Sequence, residues 1–157
     1  MSLAAWMASE PVAGILFDTS IYITALRHGD TSILAVRRAR RASDGDSYPL
    51  WFSAVVLSEL LVGASEKRAR QQLLATEQEF LKLNRLLVPL QRDWSLAGQV
   101  LAQVGAKYGY EQVDRTRMTN DALIAMSAAR RGFTVVTRNA DDFKKIAEFR
   151  PFQWEEA

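Results

Sequence analysis

Four short apolar runs, separated by segments of helical period, constrain this chain more than any other feature. Gly14-Ile15-Leu16-Phe17 stops at Asp18, and Leu50-Trp51-Phe52 stops at Ser53. Leu86-Leu87-Val88 is closed by Pro89, and Phe133-Thr134-Val135-Val136 follows Gly132. Runs this short, with no 3.6-residue period, read as strands buried on both faces. Between them the pattern is helical. One helix starts at Asp18-Thr19-Ser20, with Thr19 or Ser20 as its cap. A second covers 33–41 and ends in the polar loop 43–47. Ser53 caps a third, with Leu57, Leu60, Leu61 and Ala64 on one face and Gly63 near its end. A longer helix puts Leu73, Leu74, Phe80 and Leu81 on one face. Asp93 opens the next, with the stripe Trp94, Ala97, Leu101, Val104 and Tyr108. A polar loop over 109–118 leads to Thr119, which caps a helix over 120–131 ended by Gly132. A short helix over 141–148 and an edge strand around Phe152 and Trp154 complete the pattern.

Strands alternating with helices define an α/β, three-layer sandwich: a central parallel sheet of four to five strands with helices on both faces. Residues 1–13 read as an N-terminal extension and 14–157 as one domain. In such folds ligands sit at the carboxyl ends of the strands, where strand order switches. Residues immediately after strands are therefore the first candidates for chemistry.

The 157 residues are 48% apolar, enough to bury one core. There are 20 Lys+Arg and 18 Asp+Glu, a net charge of +2, which alone implies no nucleic-acid partner. The absence of cysteine excludes disulfides and thiolate metal sites and fits the expected cytoplasmic location. No apolar run is long enough to span a bilayer, and the N-terminus lacks a basic n-region, so neither membrane nor secretion is expected. His28, the single histidine, sits at a helix end beside Gly29-Asp30 and reads as a cap or turn. Without it no Ser/His/Asp triad can be built, and no Gly-rich phosphate loop is present.

Taken singly, the acids read as structural. Asp18 follows the first strand, where a carboxylate commonly caps a helix. Asp121 falls in the first turn of its helix, where acids complement the dipole. Glu59 lies about 200° around its helix from Leu57, on the solvated side, at roughly 100° per residue. The combination is more specific. The segments are Ile15-Leu16-Phe17-Asp18-Thr19-Ser20, Leu57-Ser58-Glu59-Leu60-Leu61-Val62-Gly63, Asn120-Asp121-Ala122-Leu123-Ile124-Ala125 and Val135-Val136-Thr137-Arg138-Asn139-Ala140-Asp141-Asp142-Phe143. Together they resemble the PIN-domain family, and within it the VapC-type toxins of toxin–antitoxin pairs, over 14–152. The Glu59 segment is the looser match.

The resemblance implies a parallel α/β sandwich and a metal-dependent endoribonuclease. It makes Asp18, Glu59 and Asp121 the first three acids. The fourth position falls near Thr137-Arg138-Asn139, where this chain has Asn139 in place of the Asp of many members. Asp142 is the nearest substitute, and one metal or two both remain open. Ser20, Thr137 and Asn139 would support the acids, with turn capping as the equal alternative for Ser20 and Thr137. Clustered carboxylates repel one another unless a cation neutralises them. Oxygen-only ligands suit Mg²⁺, and Mn²⁺ is also acceptable. Asp18 and Asp121 would hold the ion directly, while Glu59 would act through water or help deprotonate the nucleophile. The implied partners are RNA, a small antitoxin reaching into the cleft, and a second copy of the chain.

Arg115, Arg117 and Arg138 flank the acids and are the RNA candidates by position. The run Arg37-Arg38-Ala39-Arg40-Arg41 reads first as a solvated helix end and second as a phosphate contact. Tyr110 is a candidate for stacking on bases, whereas Trp94 and Tyr108 fit a core stripe better. Two other classes compete. A phospho-accepting receiver would want paired acids after the first strand and a Lys after a late one, against Thr19-Ser20 and Thr137-Arg138 here. A PIN-like module that binds RNA or a partner without catalysis is kept open by Asn139.

Overall fold

The computed structural model describes residues 14–28, 48–113 and 116–157. The extension 1–13, the helix expected over 33–41 with its arginine run, the loop 43–47 and Arg115 lie outside the described residues. In chain order the elements are β1 (Ile15–Phe17), α1 (Thr19–His28), β2 (Leu50–Ser53), α2 (Ala54–Gly63), α3 (Lys67–Lys82) and β3 (Leu86–Leu87). There follow α4 (Gln91–Tyr108), α5 (Tyr110–Val113), α6 (Thr116–Arg131), β4 (Thr134–Thr137), α7 (Ala140–Phe149) and β5 (Trp154–Glu156).

The strands form one parallel sheet in the order β3-β2-β1-β4-β5. The chain moves outward from β1 through β2 to β3, then returns to place β4 on the other side of β1. Strand order therefore switches between β1 and β4. Successive residues of a strand face opposite sides of a sheet, and Ile15, Leu16 and Phe17 are all buried. Both faces of the sheet are covered.

Tyr22 of α1 wedges edge-on between Phe17 and Phe52, with ring centroids 5.9 and 5.3 Å away, and Phe52 stacks on Phe80 of α3 at 5.2 Å. Full burial of such rings contributes roughly 1.5–3 kcal/mol apiece. At Gly14, just before β1, a Cβ would lie 2.8 Å from the Phe133 and Trp51 rings, so only glycine fits there.

Helix α6 is buried without interruption from Asp121 to Ala128, a pattern that belongs to a helix enclosed on every side. Its C-terminal end is fixed by an ion pair. Arg130 Nε donates to both oxygens of the fully buried Asp93 at 3.1 and 3.0 Å, and Arg130 Nη2 reaches the Val88 carbonyl at 3.3 Å. The same Asp93 carboxylate accepts the Leu90 N–H at 2.8 Å, closing the start of α4.

Several expectations need correction. The region 109–118 is not a continuous loop, because it holds α5 and the start of α6. Thr119 lies inside α6 and caps nothing. Trp94 is 57% exposed and does not join the core stripe of α4, which is made by Ala97, Val100, Leu101 and Val104. On α3 the expected face is split: Phe80 is buried and Leu73 half-buried, whereas Leu74 and Leu81 are exposed. Among the described residues no helix is long and apolar enough to cross a membrane.

Candidate active site

Asp18 is the first residue past β1, and its N–H donates to the Val136 carbonyl of β4 at 3.1 Å. The pairing of Phe17 with Val136 brings Asp18 level with Thr137, the last residue of β4. Asp18 is only 4% exposed, yet both carboxylate oxygens are satisfied. Oδ1 accepts the Ser20 N–H at 3.1 Å and the Ser20 hydroxyl at 2.5 Å. Oδ2 accepts the buried Thr137 hydroxyl at 2.7 Å. The cap of α1 is thus Asp18 itself, and neither Thr19 nor Ser20. The two hydroxyls in turn accept backbone N–H groups: Ser20 Oγ takes that of Arg138 at 2.9 Å, and Thr137 Oγ1 that of Asn139 at 2.9 Å. Burial raises the Asp18 pKa above its ordinary 3.8, and these hydroxyl and N–H donors oppose the rise.

Glu59 projects from α2, whose first turn is capped by Ser53 Oγ, accepting from Val55 N at 3.1 Å and Val56 N at 3.4 Å. Glu59 is half-buried, unlike the solvated position its spacing alone predicts. Its Oε1 accepts the Thr19 hydroxyl at 2.7 Å, a bond that joins α1 to α2.

Asp121 is the sixth residue of α6, beyond the first turn in which the sequence places it, so the dipole explanation loses its footing. It is 7% exposed. Its carboxyl is pushed from 3.8 up to about 9, first by burial, then by repulsion from Asp142, Asp18 and Glu59 in that order, against a lowering by Arg117. That repulsion brings four carboxyl groups, contributed by the end of β1, α2, α6 and the first turn of α7, into one field. Asn139 precedes α7 and its side chain makes no capping bond.

Among the described residues none of the four acids is ion-paired. Nor do any three acidic or histidine side chains among them stand close enough together to hold a metal ion as placed. The donor chemistry still fits Mg²⁺, which keeps several waters and needs only one or two carboxylates besides a substrate phosphate. Arg117 and Arg138 are exposed beside the acids. Tyr110 is 62% exposed, and Tyr108 donates its hydroxyl to Glu148. The contact of Thr19 with Glu59 had no signal in the sequence beyond a hydroxyl next to Asp18, which capping already explained.

A parallel α/β domain with a buried carboxyl group at its strand-order switch belongs to the class of domains that bind a ligand at the carboxyl edge of the sheet. The chain belongs to the PIN-domain family: the PIN domain matches residues 15–149. No curated protein matches the chain. Among solved structures it is similar to DNA-bound VapBC from Salmonella typhimurium, at 21% identity over 92% of this chain and 98% of that one, with a TM-score of 0.56. It is similar to VapBC2 from Rickettsia felis bound to a promoter DNA fragment, at 21% identity over 91% and 98% of the two chains, with a TM-score of 0.61. For VapBC-1 from nontypeable Haemophilus influenzae the values are 24% identity, 90% and 96% coverage, and a TM-score of 0.61. At these identities the likeness is one of fold.

Proposed function

We propose that this chain is a metal-dependent endoribonuclease and the toxin of a toxin–antitoxin pair. The observation that carries the reading is Asp121, a buried carboxyl acted on by three further acids, none of which is ion-paired among the described residues. Family membership and the resemblance to VapC-type toxins supply the reaction class. Asp18 and Asp121 would hold Mg²⁺ or Mn²⁺ directly. Glu59 would contribute through water or accept the proton of the attacking water, with Asp142 as the fourth acid. When bound, the ion would activate water, orient the phosphate and stabilise the leaving 3′-oxygen, giving 5′-phosphate and 3′-hydroxyl ends. Ser20 and Thr137 hold the Asp18 carboxylate in place without neutralising it, because both are uncharged donors. Arg117 and Arg138 would meet RNA phosphates.

The antitoxin belongs to the same reading. A groove of about 820 Å³ opens beside Glu59, lined by Tyr22, Ile23, Leu26, Leu60, Leu73 and Phe80 among others, and would take an apolar segment of such a partner. A basic side chain from that segment would then pair with the acids. Residues 14–157 would form the nuclease domain, acting as a homodimer in the cytoplasm.

Asn139, uncharged where many relatives carry an acid, favours one second reading: a module that binds RNA or a partner without cutting. Membership of the PIN-domain family sets the receiver reading aside. Incubation of the chain with structured RNA and Mg²⁺ or Mn²⁺ separates the two remaining readings. Cleavage is expected, with loss on chelation, and D18A and D121A are each expected to abolish it while the far-ultraviolet circular dichroism stays that of the native chain. Full activity in either variant, or binding without any cleavage, overturns the nuclease assignment.

A further inference from the structure

Glu59 is half-buried on α2, carries a side chain with three rotatable bonds, and its charge acts on Asp121. Repulsion of this kind drives a free carboxylate outward into water, where charge is screened and side-chain entropy is recovered. One contact opposes that drift. The Thr19 hydroxyl donates to Glu59 Oε1 at 2.7 Å across 40 residues of sequence, and among the described residues it is the only hydrogen-bond partner of Glu59.

We propose that Thr19 is a positioning residue that holds Glu59 toward α1 for the metal-dependent reaction. The inference rests on the nuclease reading and extends it to a residue with no part in the acid set. Three features of Thr19 suit it to this task. Its donor is neutral, so it fixes Glu59 without cancelling the charge a cation needs, whereas a Lys or Arg in its place would pair that charge. Its side chain is β-branched and restricted about χ1, so the hydroxyl has few positions to choose from. It also directly follows Asp18, whose carboxylate accepts the Thr137 hydroxyl of β4 at 2.7 Å. Two consecutive residues therefore set the separation of two acids: Asp18 is anchored toward β4, and Thr19 anchors Glu59 on α2. With Oε1 occupied by Thr19, Oε2 would be free to accept a proton from water at the site.

The test uses the full chain and Mn²⁺ as the probe, with binding followed by calorimetric titration and cleavage followed against Mn²⁺ concentration. Thr19→Val keeps the shape and removes the donor. Partners that orient metal-site carboxylates are worth roughly 10–100-fold in metal affinity or activity. T19V is therefore expected to weaken Mn²⁺ affinity, and to raise the Mn²⁺ needed for half-maximal cleavage, within that range. Thr19→Ser retains the hydroxyl and is expected to bind as the native chain does. A merely structural role would instead lower the melting temperature of T19V and leave Mn²⁺ affinity per folded molecule unchanged. If T19V binds Mn²⁺ like the native chain while E59Q binds it weakly, the positioning role is overturned and the nuclease reading stands. If the native chain binds no Mn²⁺ at all, both fall together.

Discussion

A carboxyl group sealed from water beside three others has two routes to neutrality: it keeps a proton or it shares a cation. For Asp121 the first route has a measurable signature. Its pKa in the fold, about 9, lies above the 3.8 of the exposed group, so the folded chain binds the proton more tightly than the unfolded chain. The stabilising contribution is fully present below 3.8 and is lost as pH rises toward 9. The metal-free protein should therefore be less stable at pH 8 than at pH 5, at about 1.4 kcal/mol for each pKa unit that is realised. Asp121→Asn should raise the melting temperature at pH 8, by about 2–4 °C per kcal/mol recovered, and flatten the dependence. Saturating Mg²⁺ should stabilise the native chain at pH 8 and leave the variant unmoved. Thermal melts across pH 5–8, with and without the ion, check this, and equal pH slopes in native and variant chains would refute it. Asp18 was legible as the residue that follows an apolar strand, whereas Asp121 stood out only through the resemblance of its segment to the PIN-domain family. The field that couples them was invisible, since it depends on burial and on distances between distant segments.

Helices are held in place here by a few polar contacts at their ends. Asp93 serves two elements at once, taking the Leu90 N–H at the start of α4 and both bonds from Arg130 near the end of α6. Removing one partner of a buried pair destabilises by roughly 3–5 kcal/mol. Arg130 keeps 23% of its side-chain exposure, so Asp93→Ala should sit near the lower end, about 3 kcal/mol by urea denaturation. A loss under about 0.5 kcal/mol, the range of ordinary surface changes, would show that the pair is idle. Ser53→Ala, which strips the cap of α2, should lose about 1 kcal/mol in the same measurement. Strands β1 to β4 were legible because each lies in a short, largely buried apolar run, and the edge strand near Trp154 is where the pattern puts it. The boundaries around 109–118 were not. Gly109, at φ 102°, interrupts the helical path for one residue only, and Tyr110 then folds back over Gly105, where a Cβ would be 2.4 Å from its ring. Such a turn leaves no apolar period to detect. Trp94 was misplaced for a related reason: the inward position at that turn is taken by its neighbour, the ion-paired Asp93, and periodicity cannot anticipate a buried charge.

At the scale of the molecule, charge is sorted by depth. The net charge is only +2, but Asp18, Asp93 and Asp121 are buried while Arg117 and Arg138 lie outside. Under the nuclease reading, an RNA approaching the acids would meet these cations. Arg117→Ala should weaken RNA binding uniformly across sequences and lower the slope of log affinity against log salt by about 1, as filter binding at several salt concentrations would read. An unchanged slope would remove Arg117 from the interface. The parallel sheet and its helical layers could be foreseen from alternation, whereas the order β3-β2-β1-β4-β5 could not, because no local pattern tells a strand which neighbour to choose. That order has a consequence in time. The bond from Thr137 to Asp18 spans 119 residues, so the ribosome must add all of them after Asp18 before the two can meet. At roughly 5–20 residues per second, synthesis takes about 6–24 s to supply the second half of the pair. Under the toxin reading, the nascent chain would carry Asp18 without a finished site throughout that interval, which would leave time for a partner made alongside it.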